Sequence, residues 1–480
     1  MEPSLRQNKM SRKLFRTLIL PSQEDFPPIL DEEVRAALKK AKKNKAPGPD
    51  MITLEMLLAC EDIVVPHLVT MFNESLTNER APQSMPDSVV RLLHKKGNCL
   101  DIGNYRPVAL LRATRELEAA QPIEQTGFRS GFSTSENTLV VTEMIQKSQE
   151  YKFPLYLMFV DYKKAFDSVE FGSLWTTLSE FGVHSKIVMT LKNIYEEAEV
   201  SVRIRGQDVP VRIQKGVRQG DTISPDLFNA TLEHIFRRLN WESYGFSVNG
   251  TTLTHLRFAD DVVLFASSAQ KIQEMANELA KESKKAGLEI NFAKTFIMAN
   301  RAQRNVEIDG KRIAYTDEFI YLGTLLHFAD GSKTEIQRRI RSAWSVFHKF
   351  KTYLTRRNVS NIHKAKIYNK CIEPAFLYGL ETWTLKKKER NLLATAQRKM
   401  MRWMLGLLDR RRNSWLYEKL KLREVREKTH GRRKSWNGDH GRKRVELDDP
   451  NPVGEMTYEQ FLVKDGRQLR EPTNISSNIP

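Results

Sequence analysis

The sequence predicts an α+β protein, and three features carry that prediction. Two apolar runs, residues 256–259 and 262–266, flank the acidic pair Asp260-Asp261. Runs this short, rich in β-branched and aromatic residues, form buried strands. A third run, residues 155–160, also ends on an acid, Asp161. From Lys333 onward apolar residues recur at helical spacing instead, with Ile336, Ile340, Trp344 and Phe347 on one face.

Along the chain, Asp31-Glu32-Glu33 opens a helix: a capping acid, acids in the first turn, then Val34, Leu38 and Ala41 at helical spacing. Lys39, Lys40, Lys42 and Lys43 load its far end with the charge the macrodipole favours. Ala46-Pro47-Gly48-Pro49-Asp50 stops it. Residues 89–93 read as a strand followed by a Lys95-Lys96-Gly97 turn, and residues 137–146 as a helix with a core-facing apolar stripe. Strands over 200–204 and 209–213 enclose Arg205-Gly206-Gln207-Asp208, residues 226–239 form a helix, and residues 269–286 form an amphipathic helix through Ile272, Met275, Leu279 and Ser283. Two further helices fall near 362–372 and 392–405. Past Arg412 no period persists, and the tail reads as largely disordered.

The acids carry the chemistry. Two ionised carboxylates at a hairpin tip repel each other, and desolvating either alone is costly. An Asp-rich turn is nonetheless common in soluble proteins. Asp161, closing a neighbouring strand, can converge with the pair at one sheet edge. Three carboxylates there form an oxygen-ligand site for two Mg²⁺ ions about 3.5–4 Å apart, the arrangement used for phosphoryl transfer.

Phe258-Ala259-Asp260-Asp261 resembles the aromatic-x-Asp-Asp signature of reverse transcriptases, and Phe159-Val160-Asp161 through Ala165-Phe166-Asp167 resembles their first catalytic motif. Flanking blocks extend the likeness over residues 45–412. They are Lys45-Ala46-Pro47-Gly48-Pro49-Asp50, Asn104-Tyr105-Arg106-Pro107, Gln125-Thr126-Gly127-Phe128-Arg129 and Gln219-Gly220-Asp221 with Ser224-Pro225. The family it resembles is the polymerase of non-LTR (LINE-type) retrotransposons, in the RTE-like branch, here N-terminally truncated. That resemblance implies a right-hand fold: fingers, a ferredoxin-like palm of antiparallel sheet plus helices, and a helical thumb. The expected divisions are a basic leader (1–25), fingers (26–150), palm (151–330), thumb (331–412) and a basic, disordered tail (413–480).

The same resemblance implies an RNA-directed DNA polymerase that extends a DNA primer 3′-hydroxyl with dNTPs on an RNA template. Asp161, Asp260 and Asp261 would hold two Mg²⁺ ions, with Mn²⁺ able to substitute. Lys95 or Lys96 and Arg106 would grip the triphosphate, as cations suit a leaving pyrophosphate. Phe166 would bar the ribose 2′-hydroxyl, although core packing is the commoner fate of a Phe. Gln219 and Gly220 would pack under the nascent base pair, and Lys294 would protonate the leaving pyrophosphate. The glycines of residues 125–131 would let backbone approach the template. Asp167 is expected to cap the following helix, and residues 319–325 to form the primer-grip strand.

One block departs from the family pattern. Only residues 112–120 separate Leu111 from Gln121-Pro122, where relatives carry a helix of several turns, so a fingers helix is expected to be shortened near 111–121. The alternative reading is a retroelement relic that binds nucleic acid without polymerising. Composition suits either: the formal net charge of +18 fits a polyanion partner. No apolar run approaches the roughly 20 residues needed to span a bilayer. The three cysteines, Cys60, Cys99 and Cys371, are too scattered for a disulfide scaffold or a zinc site and fit a reducing, intracellular compartment. By family resemblance that compartment is the nucleus, with no targeting signal evident.

Overall fold

The computed structural model describes residues 27–40, 53–79, 117–118, 120–196, 199–204, 207–218, 223–248, 251–329, 331–383, 385–407, 412–425 and 427. Lys95, Lys96, Arg106, Gln219, Gly220, the connection 112–116, the leader and residues 428–480 lie outside them.

Helices α1 (Asp31–Lys40) and α2 (Glu61–Thr77) pair at the N-terminal end. Val34 and Leu38 are buried, as the helical spacing predicts, in one core with Val65, Phe72 and Leu76. Asn73 ties the chain in front of α1 down, its Nδ2 donating to Ile29 O (3.0 Å) and its Oδ1 accepting from Ile29 N (2.8 Å). Helix α3 (Thr134–Glu150) begins in a capping box, Ser133 and Glu136 satisfying each other's backbone donors.

Five strands form the central sheet: β1 (Tyr156–Val160), β2 (His255–Phe258), β3 (Asp261–Ala266), β4 (Phe296–Ala299) and β5 (Ala314–Tyr315). Their spatial order is β5-β4-β1-β3-β2, antiparallel throughout except that β5 joins β4 in parallel. Helices α4 (Ser224–Phe236) and α5 (Ala269–Lys285) connect the strands, so β1 to β4 with their helices make the expected ferredoxin-like palm. Both sheet faces are covered, which explains why the strands are continuously apolar. Met158, Val160, Val262, Leu264 and Ile297 face a core shared with α4 and α5, while Leu157, Phe159, Val263, Phe265 and Met298 face α3. Helix α3, placed with the fingers by sequence, thus packs its Val140, Val141, Met144 and Ile145 against the palm sheet. On α5, Ile272, Met275, Leu279 and Ser283 are buried at the spacing the sequence predicts.

The expected primer-grip strand is a hairpin, β6 (Glu318–Tyr321) and β7 (Thr324–His327). Leu322 and Gly323 between them both take positive φ (44° and 77°), the geometry of a tight two-residue turn. Helix α6 (Gly331–Lys349) then opens the thumb, burying Ile336 and Phe347 and partly burying Ile340 and Trp344. The helix expected near 362–372 runs Asn361–Ile367, widens into a π turn at Tyr368–Ile372, and continues as Glu373–Leu377. Pro374 lacks the N–H that would continue the regular ladder there. Helix α7 (Lys387–Leu405) completes the bundle. The tail departs from expectation at its start: Asn413–Leu420 is a helix, and Leu416, Leu420, Leu422 and Val425 are buried in the thumb core. Eight residues are too few to show a clear period, so burial there was not evident from the pattern. Among the described residues no helix is long and apolar enough to cross a membrane.

Glu335 fastens thumb to palm. Fully buried on α6, its Oε2 accepts from Leu325 N of β7 (3.0 Å) and Arg338 Nε (2.7 Å), and its Oε1 from Arg339 Nε (2.5 Å). Both arginines also donate to Gly323 O in the hairpin turn, and Tyr378 Oη donates to Leu322 O (2.8 Å). Removing one partner of a buried ionic cluster leaves uncompensated charge. Glu335→Ala is therefore expected to cost about 3–5 kcal/mol of stability. Chemical denaturation would read this as a lowered midpoint, and an unchanged midpoint would contradict the clamp.

Candidate active site

The hairpin β2–β3 closes through the pair Phe258↔Asp261, so its loop is only Ala259-Asp260, and Asp261 begins β3 instead of lying in the turn. Ala259 has φ 56°, a left-handed conformation that costs a residue with a Cβ about 1–2 kcal/mol. Gln125 compensates. Its Oε1 accepts from Ala259 N (3.0 Å) and from Gly127 N (3.0 Å), pinning the loop to the segment 125–127. That segment also lies along β2: Arg257 N donates to Glu124 O (2.8 Å), and Thr126 N and Asn137 Nδ2 donate to Arg257 O (3.1 and 2.9 Å). A Cβ on Gly127 would lie 2.2 Å from Ala259 N. The close approach expected between this glycine and a template is made to the hairpin tip.

Beneath the hairpin, the fully buried Arg257 donates from Nη2 to Glu233 Oε2 on α4 (2.6 Å), and its guanidinium lies 4.3 Å from the Phe236 ring centroid. His255, one residue from Leu256 on the same strand, packs 4.4 Å from Phe236 and 5.6 Å from Trp241.

Asp161 meets the hairpin through strand register. Val160 pairs with Val262, so one step further sets Asp161 opposite Asp261. Val160 and Val262 face the α4–α5 core; with a period of two, the acids beside them share the other side. Asn291 holds Asp161 in place, its backbone N donating to Asp161 O (2.7 Å) and its Nδ2 to Asp161 Oδ2 (2.9 Å). Lys294 Nζ stands 3.9 Å from the same oxygen, with its side chain 71% exposed.

The three acids feel one another. Burial, then the charges of Asp260 and Asp161, push the Asp261 carboxyl up to about 6. Burial also raises Asp260, opposed by a backbone hydrogen bond and reinforced by Asp161. Above about pH 6 the fold must therefore carry adjacent charges that a cation would relieve. Among the described residues, however, no three His, Cys, Asp or Glu side chains are drawn together closely enough to hold a metal ion. Asp161 instead directs Oδ2 to Asn291 and Lys294.

Phe166 lies in the short helix Ala165–Ser168 just beyond Asp161. Its half-buried ring stacks on Phe228 of α4 (4.5 Å, 15°) and meets the exposed Phe128 edge-on (6.1 Å). Asp167 lies within that helix, and Glu170, not Asp167, occupies the N-cap of the next one, because the chain extends at Val169 and Glu170 before Phe171 starts it. The loop leading toward Gln219 docks here as well, with Gly216 N donating to Val169 O (2.7 Å) and Val217 N to Phe166 O (2.8 Å). Sequence patterning missed the roles of Gln125 and Asn291. Each acts on a partner more than a hundred residues away, and neither helical nor strand period reports such a contact.

His255 supplies a pH test of this packing. Burial first, then Arg257, holds its imidazole well below the usual range. The unfolded chain takes up a proton near pH 6.5 that the folded chain refuses, so stability is complete above that pH and falls on acidification below it. Thermal unfolding of His255→Phe is expected to lose less stability than the parent between pH 7.5 and 5.5. Equal losses in the two proteins would contradict a buried neutral histidine.

Residues 93–326 match the family described as Reverse transcriptase (RNA-dependent DNA polymerase). The chain is 27% identical over 428 residues to the RNA-directed DNA polymerase from mobile element jockey of Drosophila funebris, covering 81% of this chain and 45% of that protein. It is 26% identical over 327 residues to the Pol polyprotein of a type-1 R2 retrotransposable element of Nasonia vitripennis, covering 62% and 31%. The chain thus spans less than half the length of either relative. A telomerase from Candida albicans, solved with a fragment of telomeric RNA, aligns with TM-score 0.42 at 12% identity over 66% of this chain and 58% of that one.

Proposed function

We propose that this chain, which matches the reverse-transcriptase family over residues 93–326 and is similar to polymerases of non-LTR retrotransposons, copies an RNA template into DNA. The reaction would join dNTPs to a DNA primer 3′-hydroxyl and release pyrophosphate. The observation that supports this most is the β1–β3 register, which sets Asp161 opposite Asp261, with Asp260 beside it in the hairpin loop. An all-oxygen donor set whose carboxylates repel one another fits a hard divalent cation, Mg²⁺ with Mn²⁺ as a substitute, and Asp161, Asp260 and Asp261 would hold two such ions. When bound, they would activate the 3′-hydroxyl and neutralise the charge growing on the pyrophosphate.

The chain's own groups divide the remaining work. Asn291 orients the Asp161 carboxylate. Lys294, exposed and 3.9 Å from Asp161, would give a proton to the leaving pyrophosphate. Phe166, braced from behind by Phe228, offers a rigid ring against the sugar 2′ position. Lys95 or Lys96 and Arg106 are proposed for the triphosphate, and Gln219 and Gly220 for the nascent base pair. The RTE-like branch and a nuclear site of action belong to the same proposal.

Primer extension on an RNA template by the full chain tests it. Asp161→Asn or Asp260→Asn is expected to lower Mg²⁺-dependent extension by about a thousandfold or more, since several kcal/mol of charge stabilisation disappear. Affinity for RNA and the unfolding midpoint should remain near those of the parent. Extension at the parent rate in either variant would sink the assignment.

A further inference from the structure

Outside the palm, one surface combines exposed aromatic rings with positive charge. At the end of α6 the chain turns through Lys349, Phe350 and Lys351 into the short helix Lys351–Leu354. His348, Lys349, Phe350, Lys351 and Tyr353 are all exposed. Trp403 of α7 stands beside them, 44% exposed. Its indole is held edge-on by Trp344 (5.9 Å, 70°), Phe347 (6.2 Å, 75°) and His348 (6.2 Å, 80°), while Lys351 Nζ lies 4.9 Å from its ring centroid. Residues 341–360 contain five Lys or Arg and no acid, and residues 390–407 contain four and no acid.

We propose that Trp403, with Lys351 and His348, forms a base-stacking site on the thumb for single-stranded RNA. This rests on the proposed copying of RNA, which brings a strand with unpaired bases to the protein. A packing role alone would not leave Trp403 44% exposed beside Lys351. An exposed indole braced by neighbouring rings offers a flat apolar face at little entropic cost, and every base has a face to lay on it. Lys351 is long and exposed, so its ammonium can move from the indole to the phosphate of the stacked nucleotide. Duplex nucleic acid keeps its bases stacked internally and cannot use such a platform. The site therefore separates single strands from duplex by stacking, while the cations serve both.

The test uses the full chain and a fluorescein-labelled 12-nucleotide oligo(A) RNA, with a duplex RNA of equal length and an oligo(dA) DNA as comparators. Trp403→Ala is expected to weaken binding of the single strand about tenfold or more. The dependence of log Kd on log salt and the duplex affinity should stay unchanged. Lys351→Gln should instead lower the salt slope by about 0.7. Trp403→Phe, which keeps a stacking face, should retain most of the affinity, and its loss of oligonucleotide-induced fluorescence quenching reports stacking without an alanine at this position. A parallel loss on oligo(dA) supports the proposal, because stacking does not sense the 2′-hydroxyl. Parent-like RNA affinity in Trp403→Ala overturns it, as does an equal loss on duplex or a loss on DNA alone. These readings need no catalysis, so they stand apart from the Asp161→Asn result: either proposal can fail while the other survives.

Discussion

The antiparallel register of β1 against β3 is the constraint on which the site depends. Tyr156↔Ala266 through Val160↔Val262 is an unbroken ladder of five pairs, apolar throughout and buried on both faces. A slip of one residue would exchange every side chain between the α4–α5 core and the α3 core. That penalty fixes where the ladder ends, and the ladder ends one residue short of Asp161 on one strand and just after Asp261 on the other. Two acids that repel in isolation are thus held opposite each other by apolar packing elsewhere. Burial first, then the charges of Asp260 and Asp161, raises the Asp261 carboxyl, and the chemistry proposed for the site uses that charge density.

Strain at the hairpin tip is met in a similar way, by contacts that lie outside it. Ala259 holds a left-handed backbone because Gln125 and Gly127 close over it and because the Arg257–Glu233 pair ties β2 to α4. Segments from three regions of the sequence therefore share responsibility for where Asp260 points. The thumb is joined by a comparable device, since Glu335 and its two arginines grip the turn at Gly323. Changes in thumb orientation would act on β6–β7 directly and on β1 through the stacking of Phe319 on Phe159 (4.1 Å).

Much of this was legible in sequence wherever local pattern and tertiary role coincide. The apolar strands ending on Asp161 and flanking Asp260-Asp261, the α5 stripe and the α6 face read correctly because periodicity reports burial. The hairpin bounds shifted by one residue because turn type depends on backbone φ at Ala259, which an alanine does not advertise. Asp167 looked like a cap because Asp favours caps, but the extended Val169 and Glu170 move the next helix start beyond its reach. Gly127 suggested room for a ligand, and the room is taken by backbone at Ala259. Gln125, Asn291 and Glu335 gave no pattern at all. Each is a polar residue whose partner is chosen by the fold, and Asn413–Leu420 was likewise too short for its burial to show.

Anomalous scattering from Mn²⁺ bound to the full chain addresses the central claim most directly. Crystals grown with Mn²⁺, primed RNA template and a non-extendable nucleotide should show manganese between Asp161 and the Asp260-Asp261 pair. The Asp161 carboxylate should then have turned from Lys294 toward the metal. Manganese bound only at other carboxylates, with Asp161 still paired to Lys294 beside a seated nucleotide, would contradict the account.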